Sequence, residues 1–231
     1  MLSVLLLCGG KNSRIQKYKK QIVKPLIKFR KKTLLEHNLN LISKLNINTK
    51  IYVNVSKDFK RFQKLKKINK FTIIREKKIQ GTAGVLLQNI EKFNNEILII
   101  YADNYLDINI KKFYALFKSK NIKFLIGVFN KKDLSSSGLI TIKKNNQVLK
   151  IEEKVIGNKN ITGLCNAGIY LIKKSCLLKF VKSNIFADFA IDIIPNLIKS
   201  NLVFAKRIRG CFSFDDKYNY LKSIKKYSKT V

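Results

Sequence analysis

Ser3-Val4-Leu5-Leu6-Leu7-Cys8, followed at once by Gly9-Gly10, opens this chain of 231 residues. The first six residues form a short run without a charged side chain, which is typical of a strand buried on both faces of a sheet. Such strands occur in parallel sheets, whose two faces are covered by helices. A glycine pair directly after the strand allows a sharp turn there. The opening therefore predicts a parallel sheet with a tight turn at its carboxyl edge.

The first half of the chain continues as an alternation of short apolar strands and amphipathic helices. The predicted strands are Lys50–Val55, Phe71–Ile74, Glu96–Tyr101 and Lys123–Val128. The predicted helices are Thr33–Leu45, Asp58–Ile68, Val85–Ile90 and Asn109–Ser119. This order implies a mainly parallel sheet with helices on both faces. Ligands of such sheets bind beyond the carboxyl ends of the strands.

The pattern changes after Ser135-Ser136-Ser137-Gly138. Leu139–Ile142 and Gln147–Ile151 alternate like the two strands of a hairpin that turns at Asn145-Asn146. A further strand is predicted at Asn166–Ile172. The predicted helices of this half are Lys174–Val181, Ile191–Lys199 and Tyr218–Ser228. Because no linker or repeat interrupts the chain, we expect one domain with a small inserted β region.

The formal net charge of +34 raises the question of nucleic-acid binding. Most of the 48 basic residues are lysines, whereas dedicated binders usually use arginine forks for phosphates and bases. The excess of Lys, Ile, Asn, Phe and Tyr, with two prolines and no tryptophan, matches A/T-rich codon usage. We therefore expect no nucleic-acid partner, although the charge attracts anionic substrates in general.

The cysteines Cys8, Cys165, Cys176 and Cys211 form no C-x-x-C pair, and His37 is the single histidine. Zinc therefore has little support, and reduced thiols fit a cytoplasmic protein. The opening apolar run lacks a basic leader, and no stretch approaches the ~20 apolar residues that span a bilayer. We expect a soluble cytoplasmic protein without a membrane partner.

Two segments of the first half carry groups that suit a phosphate. In Cys8–Arg14 the glycine pair lets backbone N–H groups approach a phosphate, and Lys11 or Arg14 neutralises its charge. The segment matches neither the P-loop nor the dinucleotide fingerprint. Lys24 precedes Pro25, which stiffens the backbone there. Taken alone, the first segment also fits a simple tight turn, and Lys24 is one more lysine in a lysine-rich chain.

Taken in order, the motifs resemble those of the sugar-1-phosphate nucleotidyltransferases, and most of all the short members that act on mannose- or heptose-1-phosphate. The matching stretches are Gly9–Arg14 (G-G-x-G-T-R in the family), Val23–Leu26 (P-K-P-L), Lys31–His37 (G-K-P-L-x-E-H), Gly81–Gly84 (G-T-A-G), Ile99–Asp103 (a strand ending in Gly-Asp), Val148–Lys154 (E-K-P), Asn166–Leu171 (N-A-G-I-Y) and Asp188–Pro195 (D-F-S-x-x-x-x-L-P). The resemblance covers nearly the whole chain.

The resemblance implies an α/β fold, a three-layer α/β/α Rossmann-like nucleotidyltransferase fold with a mainly parallel mixed sheet and a small sugar-side β insertion. It implies a single domain over residues 1–231, with a nucleotide-binding half at 1–130 and a sugar-phosphate-binding half at 131–231. The implied reaction is Mg²⁺-dependent. It joins an NTP, with GTP favoured, to a mannose- or heptose-type sugar 1-phosphate and gives an NDP-sugar and pyrophosphate.

The resemblance also implies a role for each matching residue. Three are catalytic: Arg14 holds the β- and γ-phosphates, Lys24 the α-phosphate, and Lys154 the phosphate of the sugar. The implied nucleotide-binding residues are Cys8, Gly9, Gly10, Lys11, Gln80, Gly81, Thr82, Gly84 and Asp103. The implied sugar-binding residues are Gly138, Glu153 and Asn166. Asp103 also ligates Mg²⁺, which prefers oxygen ligands.

The chain departs from the family pattern at several positions. Asn12 replaces a glycine in the first motif, and Ala102 replaces the glycine before the metal aspartate. Ser213 stands where the family has the second metal aspartate, and Asp215, or Asp216 beside it, is the nearest replacement. These departures leave a catalytically degenerate nucleotide-sugar-binding regulator open. A cytidylyl- or uridylyltransferase acting on another phosphorylated acceptor and a homodimer also stay open.

Overall fold

The computed structural model describes residues 1–10, 22–56, 58–132, 138–152, 162–181, 186–214 and 221. The strands in these ranges are β1 (Leu2–Leu7), β2 (Lys28–Phe29), β3 (Lys32–Thr33), β4 (Thr49–Val55), β5 (Thr72–Arg75), β6 (Glu96–Tyr101), β7 (Asn104–Asp107), β8 (Phe124–Lys131), β9 (Leu139–Ile142), β10 (Val148–Glu152), β11 (Gly163–Lys173), β12 (Val203–Arg207) and β13 (Gly210–Ser213). The α-helices are α1 (Leu34–Ser43), α2 (Phe59–Ile68), α3 (Gly81–Leu87), α4 (Ile110–Ser119) and α5 (Ile194–Lys199). A π-helical segment, Phe189–Ile193, runs directly into α5.

The main sheet has the order β12–β8–β11–β6–β1–β4–β5. The four strands β6, β1, β4 and β5 are mutually parallel. Strand β11 runs against both of its neighbours, β6 and β8, and β12 is parallel to β8. The hairpin of β9 and β10 joins β11 where Leu139 lies opposite Cys165. The mainly parallel mixed sheet and the small β insertion are confirmed.

The central strand β1 is buried on both faces. Leu5 and Leu7 point into one core, whereas Val4 and Leu6 point into the other. Helix α3, the π-helical segment and α5 cover the first face, and α1, α2 and α4 cover the second. The three-layer α/β/α architecture is therefore confirmed. Because Leu5 is fully buried, we expect Leu5→Ala to cost about 2–5 kcal/mol of stability.

Two antiparallel strand pairs lie outside the main sheet. Strands β2 and β3 pair with each other, and β7 pairs with β13 so that Ser213 lies opposite Asn104. A small apolar cluster with Phe29 and Phe214 packs between these pairs. The sequence prediction missed β7, β12 and β13, because each depends on a partner far along the chain. The β7–β13 pair brings the 210–214 region beside the carboxyl end of β6.

Several predicted elements need correction. Helix α3 begins at Gly81, so the glycine-containing motif lies inside a helix that we expected to start at Val85. The expected helix at Lys174–Val181 is instead two short 3₁₀ turns, Lys174–Cys176 and Leu178–Phe180. The expected helix at Tyr218–Ser228 lies outside the described residues, apart from Leu221. Within the described ranges, no helix combines the length and apolar character needed to cross a membrane.

Candidate active site

Side chains from two neighbouring strands hold the turn after β1. The Asn54 Oδ1 atom accepts hydrogen bonds from the N–H groups of Cys8, at 2.7 Å, and Gly9, at 3.2 Å. The Asn54 Nδ2 atom donates to Glu76 Oε2 at 2.6 Å. A Cβ atom at Gly9 would collide with the Glu76 carboxylate and the Asn54 amide. The first glycine is therefore needed because this asparagine–glutamate pair packs directly against the backbone.

The N–H groups of this turn that we expected to bind a phosphate already donate to side chains. The N–H group of Gly9 donates to Asn54, and that of Gly10 donates to Ser56 Oγ at 3.2 Å. A phosphate at this turn takes these two N–H groups only by displacing the side-chain acceptors. Lys11 and Arg14, which we expected to contribute charge, lie outside the described residues.

Glu76 also connects the turn to the next motif. Its Oε1 atom accepts a hydrogen bond from the Gln80 N–H group at 3.2 Å, just before α3. Burial raises the pKa of Glu76, against the lowering effect of its hydrogen bonds with Gln80 and Asn54. Burial, and then the nearby Asp103, raise the pKa of the Cys8 thiol well above its usual value. Cys8 is therefore an uncharged packing residue at neutral pH.

Lys24 and Asp103 meet beyond the carboxyl end of β6. Lys24 begins a short 3₁₀ turn whose next residue, Pro25, is buried. The distance from Lys24 Nζ to Asp103 Oδ2 is 3.2 Å, and the two side chains are 13% and 25% exposed. This partial shielding from water strengthens the attraction between the charges. Two residues that the resemblance assigns to catalysis and to metal binding are thus brought together.

The turn that carries Asp103 is held by helix α1. Asn38, which is buried, donates from Nδ2 to the carbonyl oxygens of Leu34 at 2.9 Å, Asn104 at 3.2 Å and Ala102 at 3.5 Å. Ala102 is itself fully buried, so its methyl group fits where the family has glycine. Sequence reasoning missed the role of Asn38, whose signal was an amide on an otherwise apolar helix face.

The motif Lys31–His37 fixes the start of α1. Thr33 and Glu36 form a capping box, in which the N–H of Thr33 donates to Glu36 Oε2 at 2.7 Å and the N–H of Glu36 donates to Thr33 Oγ1 at 3.2 Å. The hydrogen bonds that the Glu36 carboxylate accepts from the backbone N–H and the hydroxyl group of Thr33 lower its pKa. His37 Nε2 lies 2.6 Å from the Phe29 carbonyl oxygen. The contacts described for this motif are structural, and they position the helix that carries Asn38.

The described carboxylates suit Mg²⁺ in one respect. Asp103 has carboxylate oxygens of the kind that Mg²⁺ binds, and Mg²⁺ usually takes one or two carboxylates together with substrate phosphates. Within the described ranges, no group of three or more potential metal ligands occurs. Ser213 lies opposite Asn104, so the chain passes beside Asp103 at that point. Asp215 and Asp216, the expected second ligand and its alternative, lie outside the described residues.

The start of α3 is covered by a backbone segment. The Ala187 carbonyl oxygen accepts hydrogen bonds from the N–H groups of Ala83, at 2.9 Å, and Gly84, at 3.0 Å. Gly81 has a φ of +82°, and a Cβ atom there would collide with that same carbonyl group. The close approach at Gly81 is therefore made by Ala187. The side chain of Gln80, another expected nucleotide contact, donates to Gln88.

The expected sugar contacts lie where β9 joins β11. The pairing of Leu139 with Cys165 places Gly138 next to Asn166 across this joint. A register shift in β11 follows Asn166, whose Oδ1 accepts the Gly168 N–H at 2.9 Å and whose Nδ2 donates to Tyr170 Oη at 2.6 Å. Glu153 and Lys154 lie outside the described residues. Of the expected sugar contacts, the structure thus brings Gly138 and Asn166 together.

Burial raises the pKa of the Tyr101 phenol well above its usual value, and the neighbouring Tyr170 and Asp188 raise it further. Tyr101 therefore carries its proton at neutral pH, and its hydroxyl group accepts a hydrogen bond from Tyr170 Oη at 3.4 Å at the end of β6. Sequence reasoning assigned no role to the hydroxyl groups of Tyr101 and Tyr170. Both follow apolar runs, where a tyrosine is equally typical of a packed core.

A mainly parallel sheet with a glycine turn and a lysine–aspartate pair beyond its carboxyl ends is the framework of a nucleotide-handling α/β enzyme. The model of the nucleotidyl transferase family matches residues 3–212, and the chain belongs to that family.

Named relatives agree with this assignment. The D-glycero-alpha-D-manno-heptose 1-phosphate guanylyltransferase of Campylobacter jejuni is 27% identical over 196 residues, which cover 83% of this chain and 80% of that protein. The putative mannose-1-phosphate guanyltransferase of Sulfolobus acidocaldarius is 27% identical over 209 residues, which cover 87% of this chain and 55% of that protein. The chain spans about half the length of several other curated relatives that it matches.

A solved structure shows the same fold. HddC from Yersinia pseudotuberculosis, complexed with GMP-PN, is similar with a TM-score of 0.81 and 20% identity, over 98% of this chain and 100% of that one. Together, the family match and the named relatives confirm the expected class of enzyme, a sugar-phosphate nucleotidyltransferase.

Proposed function

We propose that this chain condenses an NTP, with GTP favoured, and a mannose- or heptose-type sugar 1-phosphate into an NDP-sugar and pyrophosphate. The observation that carries the proposal is the Lys24–Asp103 pair, 3.2 Å apart at the sheet edge beside the glycine turn. The preference for guanine and for these sugars is supported by the two relatives named for guanylyl transfer.

The proposed reaction needs positioning and charge neutralisation, and no side-chain nucleophile. An oxygen of the sugar phosphate attacks the α-phosphorus, and the bond from that phosphorus to the bridging oxygen of the departing pyrophosphate breaks. Lys24 is poised for the α-phosphate, because its side chain is only 13% exposed and its ammonium group lies beside Asp103, beyond the carboxyl end of β6. When substrate enters, the ammonium turns from the Asp103 carboxylate towards the phosphate oxygens.

Asp103 is the residue that we propose to hold Mg²⁺ together with the phosphates. When bound there, Mg²⁺ supplies neutralisation of the negative charge on the phosphate oxygens. The amide of Asn38 keeps the carboxylate in place by fixing the carbonyl groups on both sides of it. Asp215 is the proposed second ligand, and this is supported by the path of the chain at Ser213, beside Asn104.

The remaining residues divide between the two halves of one domain. Residues 1–130 bind the nucleotide, with Arg14 on its β- and γ-phosphates. Residues 131–231 bind the sugar phosphate, with Glu153 and Asn166 on the sugar and Lys154 on its phosphate. A cytoplasmic location fits the reduced cysteines of the chain.

Release of pyrophosphate by the purified protein with Mg²⁺ tests the proposal. The panel crosses ATP, CTP, GTP and UTP with the 1-phosphates of mannose, heptose, glucose and N-acetylglucosamine. Lys24→Ala removes the proposed phosphate contact, and Lys66→Ala removes an exposed lysine in the last turn of α2 as a matched control. We expect release with GTP and a mannose- or heptose-type substrate, lost in the first variant and kept in the second.

Other outcomes of the same panel separate the alternatives. Release with CTP or UTP alone overturns the guanine preference and favours the cytidylyl or uridylyl alternative. Nucleotide binding without release from any pair overturns the enzymatic proposal. That result would favour the catalytically degenerate regulator, for which Ser213 in place of a carboxylate is the structural sign.

A further inference from the structure

A run of side-chain hydroxyl groups connects α3 to the joint between β9 and β11. Asn166 Nδ2 donates to Tyr170 Oη at 2.6 Å, and Tyr170 Oη donates to Tyr101 Oη at 3.4 Å. Thr82 lies beside the Tyr101 hydroxyl, and its Oγ1 atom donates to Asp188 Oδ2 at 2.9 Å. The hydrogen bonds from Asn166 through Tyr170 thus end on Tyr101, beside the Thr82–Asp188 pair, and we call these five side chains the hydroxyl chain.

The hydroxyl chain has a single direction. Each hydroxyl group has one hydrogen, and a carboxylate only accepts. Thr82 gives its hydrogen to Asp188, so it has none to donate to the neighbouring Tyr101 hydroxyl. Tyr101 accepts from Tyr170, which accepts from the amide of Asn166. Hydrogen bonds aligned in this way polarise and strengthen one another.

The carboxylate end of the hydroxyl chain is itself fixed in place. Asp188 Oδ1 accepts the N–H of Ala190 at 2.9 Å, and Thr82 Oγ1 also accepts the N–H of Phe189 at 3.0 Å. Tyr170 is fully buried, and its ring packs against Tyr101 with the ring centroids 5.7 Å apart. The hydroxyl groups therefore have little freedom to choose other partners.

The amide end is oriented by contacts on both of its atoms. Asn166 Oδ1 accepts the N–H of Gly168 at 2.9 Å, while its Nδ2 faces Tyr170. A flipped amide would set its NH₂ group against the Gly168 N–H and lose both hydrogen bonds. This arrangement leaves the second amide hydrogen of Asn166 for a ligand oxygen, beside Gly138.

We infer that Tyr170 is a positioning residue for the sugar phosphate: its hydroxyl group, held against Tyr101, fixes the Asn166 amide in the orientation that binds a sugar hydroxyl. The inference rests on the proposed function, in which Asn166 contacts the sugar. It adds that a residue of helix α3, Thr82, lies beside the hydroxyl groups that hold that contact.

Tyr170→Phe is the primary test, because it keeps the buried ring and removes the hydroxyl next to Asn166. We expect the KM for the sugar 1-phosphate to rise about threefold to tenfold, as for the loss of one hydrogen bond. The KM for the NTP should change by less than about twofold, since the substitution leaves the residues proposed to bind the nucleotide phosphates unchanged. Tyr101→Phe breaks the same hydroxyl chain one step further on and should shift the sugar KM in the same direction.

The matched control is Tyr52→Phe. Tyr52 is also buried in this chain, at 2% exposure, and donates a hydrogen bond to the Lys92 carbonyl oxygen at 2.6 Å. Its loss should lower the melting temperature about as much as Tyr170→Phe does, without any change in either KM. Equal KM values for the two variants would overturn the inference, because a general loss of stability then explains both.

A double-mutant cycle with Asn166→Ala tests whether Tyr170 acts through Asn166. If it does, adding Tyr170→Phe to Asn166→Ala produces no further rise in the sugar KM, whereas independent effects multiply. Multiplying effects would overturn the inference. Direct titration of the sugar 1-phosphate gives the same comparison without turnover.

The titration keeps the two proposals separate. Weaker sugar binding by Tyr170→Phe supports the inference even where the wild type releases no pyrophosphate, which is the failure of the proposed function. A wild type that turns over normally, with Tyr170→Phe binding the sugar phosphate equally well, overturns the inference alone. A wild type that binds none of the sugar phosphates overturns the inference directly.

Discussion

The two ends of strand β6 each carry a carboxylate, and the two are built differently. Glu96, at the start of the strand, accepts hydrogen bonds from Lys118 at 2.6 Å, Lys173 at 2.9 Å and Tyr114 at 3.0 Å. Asp103, just past the other end, is paired with Lys24 at 3.2 Å and is more exposed, at 25% against 14%.

The difference shows which end is available for a ligand. Burial alone would raise the pKa of Glu96, but its hydrogen bonds with Lys118, Lys173 and Tyr114 bring it down to about 2. A carboxylate surrounded by such donors contributes to stability. Asp103 instead has its backbone held by Asn38 while its carboxylate stays partly open to solvent. The fold thus provides a stabilising ionic cluster at one end of β6 and an oriented, accessible carboxylate at the other.

The largest effect should come from Asp103→Asn. We expect pyrophosphate release to fall about 100- to 1,000-fold, because the neutral amide is a poor ligand for the Mg²⁺ that would neutralise the reacting phosphate. The free energy of unfolding should change by less than about 1 kcal/mol, since the lost ion pair is partly exposed. Steady-state kinetics and urea unfolding measure the two quantities. A large loss of stability would contradict the comparison, because Asp103 would then be structural.

Asn38→Leu should give the next largest effect. The leucine fills the space but leaves the carbonyl groups of Ala102 and Asn104 without the amide donor. We expect a loss of about 1–3 kcal/mol of stability. The looser Asp103 turn should also lower kcat/KM about 10-fold. Asn40→Leu, on the exposed side of the same helix, is the control, and an equal fall in its activity would refute the proposed bracing.

Glu96→Gln should affect stability and leave activity unchanged. Removing the charge leaves two partly shielded lysines without their anionic partner, so we expect a loss of about 1–3 kcal/mol at neutral pH. The folded pKa of Glu96 is about 2, below the ordinary 4.5, so the unfolded chain binds more protons between these values. The contribution of Glu96 is therefore full above pH 4.5 and is lost as the pH falls towards 2. Urea unfolding across this window should show the gap between wild type and variant closing, and a constant gap would contradict the assignment.

The smallest effects should come from the two lysines that donate to Glu96, and these effects should differ in size. The Lys173 side chain is 15% exposed and also lies over the Phe117 ring, whereas Lys118 is 50% exposed. We expect Lys173→Met to cost about 0.5–1.5 kcal/mol, and Lys118→Met to leave the unfolding free energy nearly unchanged. Thermal melting of the two variants side by side measures the difference. The reverse ranking would show that exposure does not decide the strength of these pairs.

Sequence periodicity was sufficient to predict the elements whose apolar pattern lies within one short stretch of the chain. Strand β1, strand β6 and helix α1 follow from runs of apolar residues at strand or helix spacing. Helix α3 was placed too late, because Gly81 and Gly84 are weak helix formers and its first turn is stabilised by Ala187, about 100 positions along the chain. Such a contact leaves no local pattern.

The residues of the candidate site also fall into those that the sequence predicted and those that it missed. The resemblance singled out Lys24 and Asp103, and the structure places them side by side. The resemblance gave no role to Asn38, Asn54 or Glu76. The structural role of an amide or a buried carboxylate can be recognised only once its hydrogen-bond partners are known. Those partners come from other strands and helices, so their identity depends on the tertiary fold.

The pairing of Ser213 with Asn104 has a consequence for how the protein is made. The strands β1, β4, β5 and β6 are complete once Tyr101 has been synthesised, but the partner of β7 is added more than a hundred residues later. At ordinary rates of translation the delay is roughly 5 to 20 seconds. During that time a chain still on the ribosome already has the four parallel strands that carry the proposed phosphate contacts, whereas β7 has no partner strand. The surroundings of Asp103 are therefore among the last parts of the described molecule to be assembled.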